Sequence, residues 1–82
     1  MYKNHAPDGR YNLCGRQVTV LRKGRVPKLS QKGLADLLQL AGLDLDKNAV
    51  QRIESGQRFV TDIELKILAQ VLDTEVDRLL GE

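Results

Sequence analysis

At residues 47–56 the chain reads KNAVQRIESG, a segment with helical spacing but little to bury. With about 100° of turn per residue, Ala49, Val50 and Ile53 fall on one arc and would face a core. Lys47, Asn48, Gln51, Arg52 and Ser55 fall on the opposite arc, roughly 140° wide by the same geometry. Asp46 is a suitable N-cap, and Gly56 is placed to stop the helix. The polar arc holds no acid and no long apolar side chain. Arg and Lys suit guanine edges, Asn and Gln suit adenine, and the major groove admits one α-helix. An ordinary solvated face usually mixes Glu with Lys, but the arc alone does not choose between groove and solvent.

On the N-terminal side, Ser30 caps a helix with Leu34, Leu37, Leu38 and Ala41 on one face, stopped by Gly42. Farther out, the segment Leu13 to Arg22 is open to two readings. Val18, Thr19 and Val20 favour a strand by propensity, whereas Cys14, Val18 and Leu21 sit at helical spacing. Gly24 and Pro27 end it, and Arg25 to Lys28 form a basic loop. Residues 1–12, MYKNHAPDGRYN, lack an apolar period and read as a flexible arm. On the C-terminal side, Thr61 and Glu64 fit a capping box. The helix behind them carries Leu65, Leu68, Ala69 and Leu72 on one face, widened by Ile63, Ile67 and Val71, and is expected to be the most buried. Thr74 would cap a last helix with Val76, Leu79 and Leu80 inward.

The 82 residues, 41% apolar, make one small domain, expected over residues 13–82. A domain of this size buries only roughly 60–65% of its unfolded surface, too little to line a deep catalytic cleft. One Cys and one His exclude a disulfide framework and leave a zinc site short of ligands. No nucleophile, metal or carboxylate constellation is evident, so neither an enzyme nor a bound cofactor is expected. No apolar run approaches the ~20 residues of a membrane span, and no signal-peptide pattern opens the chain. A cytoplasmic binding domain is the expectation. Charge is sorted along it: eight bases against one acid up to Ala35, then five bases against ten acids, +7 followed by −5. Such asymmetry suits one face offered to a polyanion.

Four segments in order resemble the helix-turn-helix domains of the lambda-repressor and Cro class of regulators, the XRE family. They are CGRQVTVLR (14–22), LSQKGLADLL (29–38), AVQRIESG (49–56) and TDIELKILAQVLDTEVDRLL (61–80). The resemblance implies an all-α, five-helix, lambda-repressor-like fold with the helix-turn-helix at helices two and three, and it makes the contested first segment a helix. It implies a transcriptional regulator of double-stranded DNA, a repressor, reading the major groove with residues 47–55. Lys47, Asn48 and Arg52 take the family's base-reading positions, with Gln51 on the same arc. Gln31 takes the position that meets a phosphate and steadies the recognition helix. Gln57 and Arg58, in the loop after that helix, take phosphate positions, and Lys28 and Lys32 add basic candidates. Arg22 and Glu54 match a structural ion pair between the first and third helices. Family members bind inverted repeats as homodimers; without an evident zipper here, pairing is expected to be weak or DNA-assisted.

Two departures from the family spacing stand out. The loop of Arg25 to Lys28 is about two residues longer, and the connection between helices two and three about five residues longer, by alignment of Ser30 and Glu54. Helix two is expected to extend through Leu40 and Ala41, with Leu43 and Leu45 covering the added surface. Asp44 and Asp46 make this connection a poor fit to phosphate, which leaves open a shift of recognition elsewhere. Cys14 reads as a small core residue rather than a redox sensor. His5 has no partner in sequence for metal or pH sensing. Lys3 and Arg10 could reach DNA as basic arms do, or belong to a disordered end. The rival to a DNA regulator is a protein-interaction module or antitoxin-like partner on the same fold.

Overall fold

Three side-chain caps start three of the helices. Ser30 accepts from the Gly33 amide, Asp46 from the Ala49 amide, and Thr61 from the Glu64 amide, while the Glu64 carboxylate accepts from the Thr61 amide in return. Each satisfies a backbone donor that the helix itself cannot reach, a contribution of ~1 kcal/mol per cap. In the computed structural model, which describes residues 9–81, the helices are α1 Gly15–Lys23, α2 Gln31–Leu40, α3 Lys47–Ser55, α4 Asp62–Val71 and α5 Val76–Leu79. No strand forms among the described residues. None of the helices is long and apolar enough to cross a membrane.

α1 forms despite three consecutive β-branched residues. Val18 is fully buried and Cys14 nearly so. Burying one such side chain contributes about 1.5–3 kcal/mol, more than the ~0.7 kcal/mol that poor helix propensity costs a residue. Thr19 returns its hydroxyl to the Gly15 carbonyl at 3.1 Å, and Val20 is left exposed. Burial pushes the Cys14 thiol up to about 11, so at neutral pH it is a protonated, inert core group.

α3 lies against both α1 and α2; α4 packs on α2 and α5, and α5 returns to α1. The core takes Val18 from α1, Leu34, Ala35 and Leu38 from α2, and Ala49, Val50 and Ile53 from α3. Leu68, Ala69, Leu72 and Leu79 close it from the other side. The expectation that the α4 segment is the most buried helix does not hold. Only Leu68 and Ala69 are buried within it, and Ile63 is 68% exposed. Its apolar residues spread over too wide an arc for α2 and α5 to cover.

Two smaller expectations also change. α2 stops at Leu40, which stays exposed, and Ala41 is its cap rather than part of an added turn. The connection between the helices, residues 41–46, turns at Ala41 and Gly42 and then runs without regular structure to Asp46, burying Leu45 and half-burying Leu43. α5 starts after Glu75, which makes no side-chain cap bond, and not after Thr74.

Candidate nucleic-acid interface

Lys47, Asn48, Gln51 and Arg52 are all exposed on α3, while Ala49, Val50 and Ile53 on its other side are buried. The four side chains have no hydrogen-bond or ion-pair partner among the described residues, and so present their donors outward. Asp46 caps the first turn of α3, and Gly56 ends the helix at φ 80°. That left-handed conformation suits glycine. An open groove runs between α2 and the start of α3, lined by Lys32, Ala35, Asp36, Gln39, Asp46 and Lys47. Two lysines face two aspartates there, so the groove has no field of one sign for a free anion.

Behind the exposed face, Glu54 joins three helices. Its carboxylate accepts from Arg22 Nε at 2.7 Å and Arg22 Nη2 at 2.9 Å, a two-pronged pair between α1 and α3. Gln31, the first residue of α2, donates to the same carboxylate at 3.1 Å. Arg22 also donates to the Leu29 carbonyl, which fixes the approach to α2. The side chains of the pair are only 10% and 6% exposed, so the charges depend on each other rather than on water. Burial pushes the Glu54 carboxyl up, but the Arg22 and Gln31 hydrogen bonds and the Arg22 charge outweigh it and leave the group below its ordinary value.

No protein-family model matches the chain, and no curated protein does. Among solved structures, the restriction-modification controller protein C.AhdI from Aeromonas hydrophila is similar. The match has a TM-score of 0.64 and 37% identity, and covers 79% of this chain and 88% of that one. This chain belongs to the same family. The fold is therefore the all-α, five-helix, lambda-repressor-like arrangement expected from sequence, with α2 and α3 as the helix-turn-helix and residues 41–46 as its lengthened turn.

The phosphate candidates divide on this family fold. Lys28, Lys32 and Gln57 are exposed, whereas Gln31 is half-buried against Glu54. Lys32 reaches Asp36 at 3.3 Å, but with side chains 73% and 57% exposed this pair holds the lysine only weakly. Arg58 lies in the loop after α3, as expected, but with partners of its own. Its guanidinium meets Glu64 with both prongs, at 2.9 and 3.0 Å, and donates to the Phe59 carbonyl at 2.8 Å. It ties the loop after α3 to the start of α4, with its fork turned to a carboxylate. The six-residue spacing from Arg58 to Glu64 crosses a helix cap, so no helical pair rule flags it.

The arm reading of residues 1–12 fails at its end. Asn12 is buried, and its amide donates to the Ile53 carbonyl at 3.0 Å and the Arg58 carbonyl at 2.8 Å. Its Oδ1 accepts from the Gly15 amide at 2.8 Å, so one side chain joins the start of α1 to the end of α3. The Tyr11 amide donates to the Gly56 carbonyl at 2.9 Å, and its ring lies 4.8 Å from that of Phe59. Lys3 and His5 lie outside the described residues. An Asn three residues before Gly15 was the available signal, since Asn oxygens readily accept from an amide at a helix start.

Proposed function

We propose that this chain is a sequence-specific, double-stranded-DNA-binding transcriptional regulator, a repressor, that reads the major groove with α3. The exposed face of α3 carries the proposal: four donor-bearing side chains and no acid, backed by a buried ion pair that fixes the helix. Lys47, Asn48, Gln51 and Arg52 read base edges. Lys28, Lys32, Gln57 and the N-terminal end of α2 at Gln31 contact phosphates and set register, the last with help from free amides and the helix dipole. Family membership alongside a restriction-modification controller protein supports a regulatory role. The protein acts in the cytoplasm, without a cofactor, as a binding protein and not an enzyme.

A monomer of this fold reads one half-site, and two copies on an inverted repeat read two. Pairing is weak or assisted by DNA. Phe59 and Ile63 are exposed beside half-buried Val60 and Ile67, and supply uncharged surface for a second copy.

Selection from a random duplex pool at moderate salt tests the proposal. An enriched inverted repeat is the expected result. On the selected duplex, Arg52→Ala then costs ~1–3 kcal/mol and relaxes preference at one position, while Lys28→Ala weakens all duplexes alike and reduces the salt slope by about one. Equal losses for Arg52→Ala on selected and scrambled duplex remove it from the base-reading set. A folded protein that enriches nothing is a protein-interaction module instead.

A further inference from the structure

The segment just before α1 holds the C-terminal end of α3. Arg10 Nη2 donates to the Glu54 carbonyl at 2.6 Å. That oxygen is one of the last four in α3, which have no partner within a helix and carry its negative dipole end. The Arg10 side chain runs through a passage kept open by two glycines. A methyl on Gly56 would lie 2.7 Å from the Arg10 guanidinium carbon, and one on Gly15 would lie 2.7 Å from Arg10 Nη2 and collide with the Ile53 carbonyl. With Tyr11 on the Gly56 carbonyl and Asn12 on those of Ile53 and Arg58, three consecutive residues secure residues 53–58.

We propose that Arg10, Tyr11 and Asn12 form a strap that positions the recognition helix, with Arg10 as a positioning residue for base discrimination. The inference rests on α3 reading DNA. Arg52 lies one turn from the strapped end, and the Gln57 amide closes on the Arg52 carbonyl at 2.8 Å. Loosening the strap frays this turn and lets Arg52 swing relative to the rest of the exposed face. The phosphate contacts of Lys28, Lys32 and the start of α2 lie outside the strapped residues 53–58, so, Gln57 apart, the loss falls on discrimination more than on general affinity.

The test uses the full chain with Arg10→Met, which keeps most of the apolar stem and removes the guanidinium, and Arg10→Lys, which returns the charge without the fork. Hydrogen exchange at the Gly56 and Gln57 amides is expected to rise by more than about tenfold in Arg10→Met, the order of one hydrogen bond to a charged group. The affinity ratio between selected and scrambled duplex is expected to fall in both variants. This ratio cancels the uniform weakening that loss of a positive charge brings. Wild-type exchange at both amides in Arg10→Met overturns the strap. Faster exchange with an unchanged ratio overturns the positioning role. If the unaltered protein does not discriminate between duplexes, the DNA reading fails, and the exchange rates alone then decide whether the strap exists.

Discussion

The last turn of α3 is held by three other parts of the chain, through Arg10, Arg22 and Gln31. Its first turn is held by the Asp46 cap and by a connection that Gln39 steadies with a 3.2 Å bond to the Leu45 carbonyl. Both turns carry exposed side chains that face the same way, so the difference lies in support, not in chemistry. Reading DNA with α3, as proposed, needs a fixed angle between helix and scaffold, and the Glu54 junction supplies it. The turn bearing Lys47 and Asn48 follows the connection of residues 41–46, the place where this chain departs most from the family spacing. The lengthened connection therefore meets α3 at the end with fewer ties.

The largest way to break this contrast is at the junction. Glu54→Ala leaves the Arg22 guanidinium buried without its partner, and a loss of ~3–5 kcal/mol in unfolding free energy is expected. That is a large share of the ~5–15 kcal/mol typical of a whole domain. Denaturant titration with the m-value held in view is the measurement. A loss under about 1 kcal/mol, the size of an exposed pair, would show that the junction is not what fixes α3.

Acid attacks the same support more gradually. Glu54 and Glu64 are both held below the ordinary carboxylate value; at Glu64 the hydrogen bond from Arg58 is the largest cause. A depressed folded value means that the unfolded chain binds protons first. The stabilisation is complete above the unfolded value of about 4.3 and is lost as pH falls through the folded one. Melting temperature is expected to change little from neutral pH to about pH 5 and then to drop below about pH 4. Glu64→Gln keeps a capping-box side chain but has no proton to gain, and should make the acid drop shallower. An unchanged acid slope would place the sensitive carboxylates elsewhere.

The contrast between the two ends also shows what could be read from sequence. Ser30, Asp46 and Thr61 were legible as caps because a cap is a local event within three or four residues. The polar arc of α3 was legible for the same reason, as a helical period exposes it. α1 stayed open on its own residues, because its β-branched run favours a strand while Cys14, Val18 and Leu21 keep helical spacing, and only the family resemblance made it a helix. The strap was missed entirely. Arg10 and Asn12 meet residues more than 40 positions away, and nothing in a polar, glycine-containing stretch announces that. The α4 segment misled in the opposite sense: its wide apolar arc was legible, but not the lack of a neighbour to cover Ile63.

The smallest effect, and the one that sharpens the contrast most, is at Asp46. This residue does two opposing things at the less supported end. Its side chain accepts from the Ala49 amide at 2.8 Å and so holds the first turn. Its charge also sits beside Lys47, where a phosphate backbone would approach. Asp46→Ala removes both and is expected to cost about 1 kcal/mol of stability. Asp46→Asn keeps an equivalent capping oxygen, so stability should stay within a few tenths of a kcal/mol of the parent. Only the charge then changes, and affinity for any duplex should rise at low salt and converge with the parent as salt screens it. Such a gain would mean that the lengthened turn docks against DNA with its acids close to phosphate, weakening binding there. Asp46→Asn binding with parental affinity at low salt would mean that the connection stands away from the backbone, leaving α3 to enter the groove chiefly by its strapped end.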